Sequence, residues 1–437
     1  MAGKGCFGQV QNELKRRAVP PLVAVIVFCA MTALYLEASW PTYRQVLGTW
    51  GVRAWPWPFL DTDTVLSAAR CLREGADVYA FNPCDPEART YGYSPLWMVL
   101  AWFPVTIGWI PWVGLAFFAL FVFALWLLPA GRNREAVILI VIGLLSSATV
   151  LAVERGNNDL VNFALVAGMA ALMGRSATAR LAGYAMGLLA GLLKFYPMLV
   201  MLAALREKPA RFFAITAASI IVTLLAAAVT WHDLVRTWMI VPQGSPIYEM
   251  FGAPNFGKGL VVLFNLPAPV GSILRGVMTL AALAIGIRYG LRPATGATMA
   301  QLSVRERDFL LIGALMTIGC FMSAQNISYR TINLLLVLPS LTALRLIDAP
   351  RALKAMALVA IGLLWAELLF HWIQAFAAIA GGTLGTVLEF GLGWLGREIA
   401  WWWMVTLLIA CATALIRPLT MVDFALGLRR QPASTAA

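Results

Sequence analysis

An all-α polytopic membrane protein with about 12 transmembrane helices is the fold class this sequence predicts, and three observations carry it. Charged residues make up only 12% of the 437 positions against 61% apolar, and mean hydropathy is +0.79, a balance outside the range of soluble globular chains. Apolar runs such as 21–36 and 112–128 are long enough to cross about 30 Å of hydrocarbon as helices. Lys and Arg concentrate in alternate connecting segments, which is how loops on the cytoplasmic side are marked. The net charge of +12 therefore reports topology, and no nucleic-acid partner is expected.

Taken in order, the first apolar run follows Lys15, Arg16 and Arg17 and lacks a small-x-small cleavage site, so it reads as a retained span. Spans are expected near 20–37, 107–129, 135–152, 159–174, 180–194, 195–206, 212–230, 268–288, 308–323, 331–347, 354–371 and 398–416. Residues 94–105 read as an interfacial or re-entrant helix, because a crossing there would turn Arg132 and Arg134 outward. The short span 195–206 implies a tilted, broken or cavity-lining helix. The whole of 1–437 is one integral membrane domain. Its first extracytoplasmic loop is 39–92, with short interfacial helices; the second is 231–259, and 417–437 is a cytoplasmic tail. These features fit a bacterial plasma membrane, with both termini cytoplasmic and the loops facing the periplasm or exterior.

Cys71 and Cys84 fall in the first loop, where an oxidising environment allows a disulfide; the alternative is two unpaired small residues. Cys6, Cys29, Cys320 and Cys411 look structural. With no CxxC pair and two His in the chain, neither a zinc site nor a cofactor is expected.

Five polar clusters converge on the extracytoplasmic face: Asp61/Asp63, 154–159, 194–197, 231–259 and 323–330. Ionisable groups at span ends are costly unless they line a cavity or a site. Val65, Ala68, Ala69 and Leu72 repeat at helical spacing up to Gly75. Asp63 is placed either to cap that helix or to contact substrate. Asp61 is freer to point into a cavity, where a carboxylate can take a proton from a sugar hydroxyl; the alternative is a solvated or capping acid. Lys194, next to Tyr196, and Arg330, next to Tyr329, would meet a lipid phosphate, or else snorkel or pair with a protein acid. Lys258 is a further phosphate candidate. Asn157, Asn158 and Asp159 open a span, either as caps or as partners for sugar hydroxyls. His232 and Asp233 follow a span end and suit loop ordering or acceptor contact. His371 and Trp401–Trp403 read as interfacial belt residues. Glu367, Glu389 and Glu398 have no assigned role.

At these residues the chain resembles the GT-C glycosyltransferases that use polyprenyl-phosphate donors, most closely glycosyltransferase family 87. The likeness rests on Asp61 followed by Ala68-Ala69-Arg70, Asp77-Val78-Tyr79 and Tyr93-Ser94-Pro95-Leu96, on Gly156-Asn157 opening a later span, and on the small-residue stretch ending in Lys194-Phe195-Tyr196-Pro197. The resemblance implies a GT-C fold and Asp61 as the catalytic base. It also implies a phosphate-contacting cation at or near Lys194. The expected reaction moves a hexose, mannose by family, from a polyprenyl-phosphate monosaccharide to a lipid- or glycan-linked acceptor with inversion. Family members often carry a His where this chain has Tyr329 and Arg330. Fixed cations can stabilise the leaving phosphate, so no metal is needed, although Asp61-x-Asp63 leaves room for a divalent ion. The rival functions are a glycan polymerase or ligase using a polyprenyl-diphosphate donor, and a lipid or sugar transporter. Transporters usually hold their ionisable residues at mid-membrane and carry inverted repeats, neither of which is evident here.

Overall fold

The computed structural model describes residues 3–240 and 244–425, with side chains from Gln11 onward. Residues 241–243 of the expected second loop, 426–437 of the expected tail and the Cys6 side chain lie outside the described residues.

The described chain is helical apart from one two-stranded ribbon. Helix α1 (Gly3–Glu37) leads into α2 (Trp40–Thr49) and α3 (Leu60–Arg73), the short helices of the first loop. A 3₁₀ segment, Pro95–Trp102, follows. Its eight residues rise about 16 Å at about 2 Å each, too short to cross, as expected for 94–105. Next come α4 (Ile110–Leu127), the bent pair α5 (Arg134–Leu144) and α6 (Ser147–Glu154), α7 (Asp159–Met173) and α8 (Ala177–Lys194). The stretch Tyr196–Arg206 is wound as 3₁₀ rather than α.

Helix α9 (Pro209–Met239) runs past the predicted span end at 230. His232 and Asp233 are therefore helical rather than in a loop, because no Gly or Pro interrupts 210–240. Strand β1 (Met250–Phe251) and α10 (Ala253–Phe264) occupy part of the segment expected as open loop. The chain continues through α11 (Ala268–Gly290), α12 (Pro293–Ala300) and α13 (Val304–Ser323). Strand β2 (Asn326–Ile327) then pairs antiparallel with β1. After the 3₁₀ turn Ser328–Asn333 come α14 (Leu334–Arg345), α15 (Arg351–Leu364), α16 (Ala366–Ala380) and α17 (Gly382–Thr386). A π-helical stretch, Val387–Leu395, leads into α18 (Gly396–Ile416), and α19 (Thr420–Ala425) ends the described chain.

All twelve predicted spans fall on helical segments, but among the described residues five helices are long and apolar enough to cross a membrane, or up to seven if each bent pair is one span. The shortfall has a physical reason. α7 and the 196–206 segment are too short, and α13 begins Val-Arg-Glu-Arg-Asp. α13 is enclosed by other helices: every residue from Asp308 to Phe321 is buried. α7 packs between α4 and α8, and α13 packs on α18, α14 and the 196–206 segment. Trp401, expected at the interface, lies in this core with its ring stacked on Phe251 at 4.3 Å, and Trp402 is buried beside Phe321.

Candidate active site

The site forms where α3 docks on the turn between α6 and α7. Phe59 adopts a left-handed backbone (φ 61°), and α3 starts at the next residue. The Phe59 and Asp61 amides donate to the Glu154 and Arg155 carbonyls at 2.9 and 3.0 Å. The Thr62 hydroxyl donates to the Gly156 carbonyl at 2.6 Å. Gly156 has φ +52°, and a Cβ there would lie 2.6 Å from Thr62 Oγ1, so only glycine fits both the turn and the contact. Asp61 and Asp63 both fall in the first turn of α3, where the helix dipole favours acids. No side-chain cap is made there, so the expected capping role for Asp63 is corrected: the left-handed Phe59 starts the helix and puts Asp63 inside it.

Asp61 is buried, and its Oδ2 accepts from Asn157 Nδ2 at 2.6 Å. Its Oδ1 lies 3.9 Å from Arg155 Nη1. Asn157 also uses Oδ1 to accept the Asp159 amide at 2.8 Å, which caps α7, so neither Asn158 nor Asp159 supplies the cap. Asn158 is buried with both side-chain polar atoms unpartnered.

Asp159 is fully buried and organises the cations. Its Oδ2 accepts from Lys194 Nζ at 2.9 Å and from Arg330 Nε at 3.3 Å, and its Oδ1 accepts from the Tyr196 hydroxyl at 2.8 Å. Of the alternatives open for Lys194 and Arg330, pairing with a protein acid is what the structure contains. Arg330 Nη1 donates to Asn326 Oδ1 at 2.5 Å, its guanidinium lies 5.8 Å from the Tyr196 ring, and Lys194 Nζ sits 5.2 Å from the Tyr93 ring. Asp61 is within electrostatic reach of Lys194, Arg89, Tyr93 and the buried Tyr329. A single buried network thus joins Asp61, Asn157, Asp159, Lys194, Tyr196 and Arg330.

Phe195, between Lys194 and Tyr196, has φ 63° and ψ −52°. With Phe59, two bulky residues therefore hold left-handed backbone beside the site, at about 1–3 kcal/mol each.

The remaining predicted residues lie elsewhere. Asp63 is buried on another face of α3. Burial and the nearby Asp85 push its carboxyl up to about 6, although Arg89 and Arg70 act against the rise. His232 is an exposed residue of α9 whose ring nitrogen lies 3.4 Å from Asp233. Lys258 is half-buried on α10, within repulsive reach of Arg275 on α11. Cys71 and Cys84 form a disulfide with Cα atoms 5.8 Å apart, fastening α3 to the loop behind it. They approach Glu74 as candidate metal ligands, but both thiols are taken by the disulfide.

Sequence reasoning did not single out Arg155, Asn326 or Tyr93. Arg155 sat inside a quoted cluster and carried a signal; Tyr93 gave none beyond its place in Tyr-Ser-Pro-Leu.

Fold and cluster together define a helical membrane protein with a buried ionic site at one end of its bundle. Residues 92–256 match the model of glycosyltransferase family 87, and by that match the chain is a glycosyltransferase. The matched segment contains Asn157, Asp159, Lys194 and Tyr196 and begins after Asp61. No curated protein and no solved structure matches the chain.

Proposed function

We propose that this glycosyltransferase moves a hexose, mannose in the first instance, from a polyprenyl-phosphate monosaccharide to a lipid- or glycan-linked acceptor. The reaction takes place on the extracytoplasmic face of a bacterial plasma membrane, and Asp61 is the general base. The observation that carries this reading is Asp61 held by Asn157 at 2.6 Å, next to two cations fixed on one buried acid.

In the proposed step the acceptor hydroxyl passes its proton to Asp61 Oδ1 as its oxygen bonds to C1 of the sugar. The bond from C1 to the phosphate oxygen breaks on the opposite face, giving inversion, and polyprenyl phosphate leaves. Charge that grows on the phosphate is met by Arg330 and Lys194. Arg330 spends Nε on Asp159 and Nη1 on Asn326, so Nη2 is the donor left for phosphate. Fixed donors aimed at developing charge need no reorganisation during the reaction. Asp159 holds both cations in place and does not itself meet substrate. Asn157, Asn158, Tyr196 and Tyr329 line the sugar's surroundings. Lys258 and His232 are assigned to the donor and acceptor approaches, and Asp63 to the loop behind Asp61.

The test is transfer by purified protein from polyprenyl-phosphate mannose, glucose, galactose and arabinose, with products scored by mass. Transfer from at least one is expected, and Asp61→Asn should lower it by about 10²–10⁴-fold. Near-wild-type transfer by Asp61→Asn would remove Asp61 as base; transfer from none of the four would remove the donor class.

A further inference from the structure

A second feature lies beside this network. A cavity of about 600 Å³ opens between α2, residues 51–54, residues 244–250 and α16, a volume within the range of ligand pockets. Its lining includes Arg44, Arg53, Tyr248, Glu367, His371 and Gln374. None of these residues takes part in the step above.

The walls are built rather than loose. Tyr248 and Gln374 both donate to Glu389, at 3.1 and 3.0 Å, and the Tyr248 ring meets Phe370 edge-on at 5.6 Å. Behind them Arg397 is buried, 3.9 Å from Glu367 and 3.0 Å from the Ile247 carbonyl. Arg397 Nε and Nη1 and Glu398 Oε2 are buried without hydrogen-bond partners. Buried polar groups are ordinarily satisfied; these atoms lie behind the wall and are not part of the cavity lining.

Two strips connect the cavity to Asp61 and Arg330. Arg53 in the lining lies 5.8 Å from the Trp55 ring, Arg155 lies 5.6 Å from the same ring, and the Trp55 amide donates to Glu154 Oε1 at 3.3 Å. On the other wall the Ser328 amide donates to the Glu249 carbonyl at 3.0 Å, directly before Tyr329 and Arg330. The cavity is thus linked to the proposed base through Trp55 and Arg155, and through Glu249 and Ser328 to the segment that carries the proposed phosphate contact.

Its chemistry selects the occupant. The lining carries two arginines and two glutamates, Glu249 being the second, so no net charge draws an anion. It offers donors and acceptors of both kinds beside aromatic faces, which suits an uncharged polyhydroxylated ring. We propose that this cavity is the acceptor subsite and takes an uncharged saccharide headgroup; the acceptor role rests on the transferase reading above.

The probes are the octyl α-glycosides of mannose, glucose and galactose, titrated by tryptophan fluorescence against the full chain in phospholipid nanodiscs. Saturable binding of at least one is expected, weakened about tenfold in Gln374→Ala and in the exposed His371→Ala, as loss of a hydrogen bond implies. The KM for the polyprenyl-phosphate donor should stay unchanged in both variants. Binding of none of the three, or binding unaltered in both variants, overturns the proposal. So does a raised donor KM with glycoside binding intact, which would give the cavity to the donor. Binding is read without donor, so the two readings can fail separately. If none of the four donors supports transfer but glycoside binding still depends on Gln374 and His371, the donor class falls while the saccharide site stands.

Discussion

Helix α8 ends in two clusters built from the same parts. At its C-terminus Asp159 takes Lys194, Arg330 and Tyr196. At the other end Glu207 takes Arg180 at 2.5 Å, Arg211 at 3.2 Å and Tyr184 at 3.1 Å. Each is one carboxylate, two cations and one tyrosine hydroxyl, and both carboxylates are buried. The cations differ. Arg180 and Arg211 side chains are 24% and 42% exposed, against 5% for Lys194 and 21% for Arg330. Around Glu207 both guanidinium groups stay partly exposed, as cations anchoring a membrane face do. Around Asp159 Lys194 is drawn inward, while Arg330 is about as exposed as Arg180, and the pair lies next to a second acid, Asp61, that is held through Asn157. An ion cluster by itself is therefore no sign of a site here; the inward Lys194 and the adjoining acid are.

The largest consequence is for stability. Asp159→Asn leaves the buried Lys194 and the partly buried Arg330 without their shared counter-charge and should cost about 3–5 kcal/mol, the penalty for breaking a buried pair. Glu207→Gln releases cations that can turn to water and should cost about 1 kcal/mol. Thermal unfolding of both variants in one detergent measures the difference, and equal losses would erase the distinction between the two ends.

The next effect is on turnover. Lys194→Ala leaves Arg330 to neutralise Asp159 but removes one phosphate donor, so transfer should fall about 10²–10³-fold, as for loss of one charge-stabilising donor. Arg180→Ala, at the far end, should leave transfer within about twofold of wild type. Comparable losses in the two variants would mean that Lys194 acts through the fold rather than on substrate.

Smaller again is the effect of loosening the dock between α3 and the α6–α7 turn. Gly156→Ala forces a Cβ against Thr62 at a positive φ and should cost about 1–3 kcal/mol. It should reduce transfer more than stability, because the displaced element carries Asp61. Unaltered transfer in a folded Gly156→Ala protein would break the link between this dock and the base.

How much of this was legible in the sequence follows from the same contrast. Hydropathy gave the helical elements because lipid and helix packing both reward apolar surface. Fewer helices are long and apolar enough to cross than hydropathy suggested, because α7 and the 196–206 segment are short and α13 opens on four charged residues. Asp61, Asp159, Lys194 and Arg330 were visible as costly charges at helix ends. That Asp159 would claim both cations was not, since the pairing spans 35 and 171 residues and no local pattern encodes it. The capping role of Asp63 failed on a single dihedral at Phe59, which sequence does not reveal. Arg44 and Arg53 gave no signal, and His371 read only as an interfacial belt residue, because their cavity is assembled from four distant segments.

The smallest expected effect separates two acids by sign. Burial raises the Glu207 carboxyl, but Arg180, Tyr184 and Arg211 outweigh it and leave it below its usual value of 4.5. Its contribution is therefore present above about pH 4.5 and is lost as pH falls through the lowered value. Asp63 runs the other way. Burial and Asp85 raise it from 3.8 to about 6, so the folded state holds its proton more tightly than the unfolded chain does. That contribution is full below pH 3.8 and disappears as pH rises through about 6. At pH 7 Asp63 is thus a charge held against Asp85, and Asp63→Asn should stabilise the protein by about 1 kcal/mol, with the gain absent at pH 4. Thermal unfolding of wild type and Asp63→Asn between pH 4 and pH 8 reads this directly. A gain independent of pH, or a loss at pH 7, would show that the Asp63 carboxylate is held charged by Arg89 and Arg70 after all.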